Sequence, residues 1–431
     1  MMGPHTHGED AGDMTEQTSG QTSGQTSEQP TTLPALRLPW KRAMTGRDPD
    51  EQPRASTPLE LLFDLCFVVA IAQAAVQLAH GIEENHIGPA VLGFAMVFFA
   101  IWWAWMNFTW FASAYDTDDV PYRVLTLVQM AGALVLAAGV EPAMTSFDFT
   151  VGTIGYAIMR VPLILQWLRA AREDPNGRAC ALRYAGALTV VQALWLLRLL
   201  LPAPWGYVGF AVLVIAEIAV PVWAESHGRA TRWHREHIAE RYGLLTLIVL
   251  GECILGTTVA IRSGLDSAGL TADLLMLVIG GLLLVFGLWW VYFVGGDEHG
   301  LTSMRIALTW GYGHYFVFAS IAALGAGLEV AVLYSEHLAH VPGVVSGLAV
   351  AVPVAVFLVV ISQLRRLSWP AGAENHLMIA VLVVLIIGAG ALAGVLGIGL
   401  SVLLQGVVLL AGLTGWLVIA SRRAKAVDAQ A

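Results

Sequence analysis

The chain has 431 residues, 57% of them hydrophobic and 13% charged, with a net charge of −9. Soluble domains carry roughly a quarter charged residues. These figures exclude an ordinary soluble domain, a disordered protein and a nucleic-acid binder, and no basic patch is large enough to grip a polyanion. The three cysteines, Cys66, Cys180 and Cys253, cannot form a disulfide framework. What remains is an all-α, polytopic membrane protein whose first partner is the lipid bilayer.

Residues 1–56 read as a disordered polar tail, containing the tract QTSGQTSGQTSEQP and ending in basic residues. Such a tract buries too little apolar surface to offset its chain entropy. Apolar stretches then recur, each long enough to cross a ~30 Å hydrocarbon core as a helix. Twelve are expected: 57–80, 88–111, 121–140, 149–170, 183–202, 204–224, 237–261, 271–294, 305–330, 343–364, 376–393 and 395–420. Basic residues cluster at one side of this layout, and Arg262 stands alone in the opposite segments. The bias places both termini in the cytoplasm of a bacterial plasma membrane.

The halves resemble each other, as two parallel six-helix repeats at 57–225 and 226–421, with a short cytoplasmic tail at 422–431. Trp102 and Trp103 return as Trp289 and Trp290. Acidic loops follow both pairs, with Asp116, Asp118 and Asp119 in the first and Asp297 and Glu298 in the second. Arg123 and Arg305 open the next spans. Asp64 in span one corresponds to Glu252 in span seven. Parallel repeats occur in secondary transporters, where sites lie at the repeat interface.

Charges in the bilayer core are expensive, so the spans that keep them are informative. At 1.5 Å per residue, Glu252 sits about 22 Å along its helix and Glu217 about 20 Å from the end of its own. Arg160 has a similar depth. Glu60 and Asp64 share one helical face. Arg241 and Glu252, eleven residues apart, share another. Either these charges form buried ion pairs that lock the packing, Arg160 with Glu217 for example, or one carboxylate is left over. A leftover carboxylate could carry protons, and Glu252 is the first candidate.

The tryptophan pairs lie near the expected cytoplasmic interface, so an aromatic belt is favoured over a ligand cage. The DTDD loop is expected to pair with Arg123 and cap the next helix rather than bind a cation. His234, His237 and Glu240 have a spacing that fits zinc, but they lack a fourth ligand, and no metal is expected. No P-loop, H-E-x-x-H or G-x-S-x-G is present, and no cofactor is implied. The glycine-rich stretch 388–399 suits close helix packing.

Three segments, 58-PLELLFDLCFVVAIAQ-73, 116-DTDDVPYRVLTLVQM-130 and 237-HIAERYGLLTLIVLGE-252, resemble the bacterial low-temperature-requirement A (LtrA) family. The resemblance covers about residues 54–421. It implies a bacterial integral membrane protein and carries no chemistry; the family is named for growth in the cold. Glu60, Asp64, Asp116, Asp118, Asp119, Arg123, Glu240, Arg241 and Glu252 are its motif positions here. The favoured expectation is a proton- or cation-coupled secondary transporter of a small solute. In that reading Glu252, Asp64, Glu60, Glu217, Arg160, Arg241 and Glu240 lie along the coupling or substrate path. A lipid-carrier enzyme using the acidic loop, and a sensor or scaffold with structural charges, are the alternatives.

Overall fold

The computed structural model describes residues 40–48, 55–202, 204–294, 300–368 and 376–428. Among these there are fourteen helices and no strand. The first half holds α1 (Pro58–Glu83), α2 (Ile87–Tyr115), α3 (Val120–Ala138), α4 (Val140–Thr145), α5 (Thr150–Glu173), α6 (Arg178–Arg198) and α7 (Trp205–Glu225). The second holds α8 (Arg235–Ala268), α9 (Ala272–Phe293), α10 (Met304–Ser335), α11 (Gly343–Ser368), α12 (His376–Ala391), α13 (Ala393–Leu396) and α14 (Ile398–Asp428).

Each of the twelve expected spans falls on a helix. Among the described residues ten helices are long and apolar enough to cross a membrane. At 16 residues α12 is shorter, and α8 runs to 34. Two short helices were not anticipated. A break at Gly139 separates α4 from α3, and Gly397, at φ 86°, ends α13. A glycine tolerates that left-handed backbone without a Cβ clash.

The helix starts follow from local chemistry. Thr57 and Glu60 form a reciprocal capping box at α1. Asp119 caps α3 by accepting from the Tyr122 N–H, and Thr271 and Ser303 cap α9 and α10 in the same way. Asp118 sits at φ 48° in the tight turn before α3.

In each half the first helix packs on the second and third. Thus α1 meets α2 and α3, and α8 meets α9 and α10. The chain of neighbours continues as α3–α5–α6–α7 and as α10–α11–α12–α14. The halves differ where α9 packs on α14. There a Cβ on Gly406 would lie 2.8 Å from the Gly280 carbonyl oxygen. Helices α2 and α7 meet instead through the side chains of Trp103 and Glu217.

Small residues set the closest approaches, as expected where lipid removes the hydrophobic drive between helices. A Cβ on Gly132 would sit 2.8 Å from the Gly155 carbonyl oxygen, joining α3 to α5. Gln129 and Gln166 add a 2.9 Å side-chain hydrogen bond between the same helices. In the glycine-rich stretch, Gly390 packs against Gly347 of α11, whereas a Cβ on Gly388 would meet open space.

Residues 40–48 depart from the expected free tail. Their backbone N–H groups reach carboxylates of the bundle: Arg42 to Asp119 at 2.8 Å and Met44 to Glu173 at 2.8 Å. Met44 is fully buried. Composition alone hid this strap, because its partners lie more than seventy residues away.

Candidate functional site

Where the halves meet, α1 packs on both α10 and α8, and α1 and α8 each present two charged or titratable groups one turn apart. Glu60 and Asp64 meet His237 and Arg241, and all four are fully buried. The Arg241 guanidinium donates to both Asp64 oxygens, at 2.7 and 2.8 Å. This fork-to-fork geometry is the strongest form of the Arg–carboxylate pair. Trp105 of α2 donates its indole N–H to Asp64 at 2.7 Å. One turn earlier, His237 Nε2 lies 3.1 Å from Glu60 Oε1. The other Glu60 oxygen accepts from the Thr57 N–H and hydroxyl. Glu240 accepts from the Ser56 N–H at 3.2 Å, tying the entry of α1 to α8.

A second charged centre lies within the first half. Arg160 of α5 donates to Glu217 of α7 at 2.8 Å, and both are buried. Glu217 also accepts from Trp103 at 2.8 Å, Trp195 at 3.1 Å and Tyr156 at 3.2 Å. Four donors on two oxygens match a carboxylate's full accepting capacity. Arg160 further contacts Tyr156 and donates to Asn107 at 3.2 Å.

The ion pair between Arg160 and Glu217, one of the two alternatives open from the sequence, is present. The stripe of Arg241 and Glu252 does not act as a unit: Arg241 is engaged by Asp64, while Glu252 is half-buried further along α8. Among the described residues Glu252 has no hydrogen-bond or ion-pair partner. His234 caps α8 through its ring nitrogen, so the His234–His237–Glu240 set is divided among three partners.

The tryptophan reading needs correction. Trp102, Trp103 and Trp105 are 4%, 0% and 0% exposed, whereas Trp289 and Trp290 are 45% and 48% exposed. The second pair fits a belt. The first group is core, because the indole N–H groups of Trp103 and Trp105 serve buried carboxylates. Sequence reasoning missed those two tryptophans, Tyr156, Trp195 and Asn107 as partners. Their signal was the number of intramembrane carboxylates needing donors.

The acidic loop pairs as expected. Arg123 donates twice to Asp118, at 2.8 Å each, and Asp116 accepts from the Asp118 N–H at 2.8 Å. Asp119 additionally holds Arg169 at 2.5 Å. Asp297 and Glu298 lie outside the described residues; Arg305 is exposed at the start of α10.

Burial opposes the charge on Asp119, but hydrogen bonds from Arg169 and from the Arg42 and Tyr122 N–H groups outweigh it and hold its pKa at about 2. A carboxylate depressed in this way stabilises the folded form above its ordinary pKa and loses that contribution as pH falls through the folded value. The 40–48 strap should therefore loosen as pH falls from 3.8 towards about 2. A spin label on Thr45→Cys should be immobile at neutral pH and mobilise across that window. Adding Asp119→Asn should raise its mobility at neutral pH, with Met44 still held by Glu173. A label equally immobile under all these conditions would remove Asp119 as an anchor of the strap.

Among the described residues, helices without a sheet, ten of them long and apolar enough to span a bilayer, and charged groups paired between helices define a multi-pass α-helical membrane protein. The chain belongs to the family described as bacterial low temperature requirement A protein (LtrA), whose family model matches residues 55–414. It is also similar to Uncharacterized protein RA0937 of Rhizobium meliloti (strain 1021), with 29% identity over 306 residues, covering 67% of this chain and 72% of that protein.

Proposed function

We propose that the protein is a secondary transporter that couples a proton or cation gradient to movement of a small solute across the bacterial plasma membrane. The observation that carries this reading is the His237–Glu60 contact, an imidazole and a carboxylate fully buried where the first helices of the two halves meet. Imidazole is the side chain whose charge ordinarily changes between pH 5 and 8. Placed at such a seam, one proton alters an attraction between the halves. Asp64 and Arg241 hold the seam in register beside it. Arg160 and Glu217 line the path, and Glu252 is a second proton acceptor further along α8.

The matching order of helix neighbours supports treating the halves as two six-helix parallel repeats. The basic-residue bias supports cytoplasmic termini.

The test is a current recording from purified protein in liposomes on a solid-supported membrane, with pH and cation jumps. Wild type should give a current. Glu60→Gln and His237→Gln should abolish it or displace its pH dependence, and Glu252→Gln should reduce it. Folded Glu60→Gln and His237→Gln proteins with wild-type currents and pH profiles would end the coupling assignment. Wild-type silence in current and in a pH-dye assay of electroneutral exchange would end the transporter reading.

A further inference from the structure

Between α2, α3, α4, α5, α6 and α7 lies a cavity of about 50 Å³, walled by Phe149, Tyr156, Trp195 and Phe210. Arg198, the last residue of α6, also lines it and is only 7% exposed. Its Nη1 donates to the Gly206 carbonyl oxygen at 2.9 Å, while its Nε has no hydrogen-bond partner. Among the described residues no carboxylate lies within ion-pair distance of it. Aromatic rings surround the guanidinium instead, with centroids 5.0 Å away for Phe149, 5.3 Å for Phe210 and 5.5 Å for Trp195.

A guanidinium cannot discharge by losing its proton in a protein. Burial without a counter-ion is penalised by lost solvation, and ring faces supply no full opposite charge to offset it. The arrangement therefore favours an anion supplied from outside the chain. A guanidinium edge matches the planar carboxylate fork. Apart from Thr153 and Tyr156 the remaining walls are apolar, so most of the ligand is hydrocarbon. At ~10–15 Å³ per water-sized group, the cavity holds about four such groups. That is the scale of a two- to four-carbon acid.

We infer that this cavity binds a short-chain monocarboxylate, its carboxylate on Arg198 and its alkyl part against the aromatic walls. Two of those walls reach the buried ion pair: Tyr156 and Trp195 each donate to Glu217. On the other side of that pair, Trp103 and Asn107 line a second cavity of about 30 Å³ with Tyr184 and Glu225. A ligand at Arg198 thus touches the side chains that hold the Arg160–Glu217 centre, which lies between two cavities. The inference deepens the transporter reading by naming its substrate class, but the binding site itself does not require transport.

The test is equilibrium binding of radiolabelled propionate to the purified full chain, checked as folded by size-exclusion chromatography. Wild type should bind saturably, and butyrate should compete better than nitrate or chloride. Arg198→Gln should weaken binding at least about tenfold. Arg198 also holds Gly206, so a second variant leaves it in place. A Cβ on Gly152, a cavity-lining residue, meets open space, and Gly152→Leu should fill the cavity and abolish binding without lowering thermal stability. No saturable binding by folded wild type would overturn the assignment. So would binding unchanged in both variants, or nitrate and chloride competing as well as butyrate. Propionate binding without any proton-coupled current would leave this site standing and remove the coupling reading.

Discussion

Replacing Glu217 by Leu should cost the protein about 3–5 kcal/mol, because it leaves the Arg160 guanidinium buried without a counter-charge. It also leaves the Trp103 and Trp195 indole N–H groups without an acceptor. Arg160→Met alone should be similarly damaging, stranding a carboxylate at 1% exposure. The double variant should be less damaged than the sum of the two, since neither charge remains to be stranded. Thermal denaturation in detergent, read as loss of monodisperse protein, supplies the comparison. Additive losses would mean that Arg160 and Glu217 do not stabilise each other, despite their 2.8 Å separation.

The second large effect is expected at the seam, and it is unequal along its length. Asp64→Asn removes the charge that faces both Arg241 nitrogens, and the guanidinium cannot respond by losing a proton. Glu60→Gln leaves His237 beside an amide and strands no guanidinium. Asp64→Asn should therefore be the more destabilising, by about 3–5 kcal/mol. Arg241→Lys should not restore the seam, since an ammonium cannot reproduce the bidentate fork. The same detergent melts rank the variants. Equal losses for Asp64→Asn and Glu60→Gln would show that the guanidinium contributes no more than the imidazole.

The sequence made the helices legible because each apolar run is as long as a bilayer is thick. It did not reveal α4 or α13, whose six and four residues fall below that scale. The Arg160–Glu217 pair was within reach, as the charges occupy matching depths. The α1–α8 contact was not, although its signal is plain in retrospect. Glu60 and Asp64 repeat at four residues, and so do His237 and Arg241, so two acids in one register face two bases in the same register. Periodicity within a helix reports which face is polar, not which neighbour meets it. Tryptophan misled for the same reason. Its enrichment at membrane interfaces is a statistical tendency, while Trp103 and Trp105 are placed by the need of a buried carboxylate for a donor.

The seam also imposes an order on biogenesis. Asp64 and Arg241 are separated by 177 residues, whereas Arg160 and Glu217 are only 57 apart. At ~5–20 residues per second, α1 waits roughly 9–35 s after synthesis before its basic partner emerges. During that interval Glu60 and Asp64 have no α8 to meet. They must stay protonated, remain beside the insertion machinery, or rest near the aqueous interface. The first half can complete its own buried pair within about 3–11 s. Insertion of the first helix is thus finished, in the electrostatic sense, only when the eighth arrives.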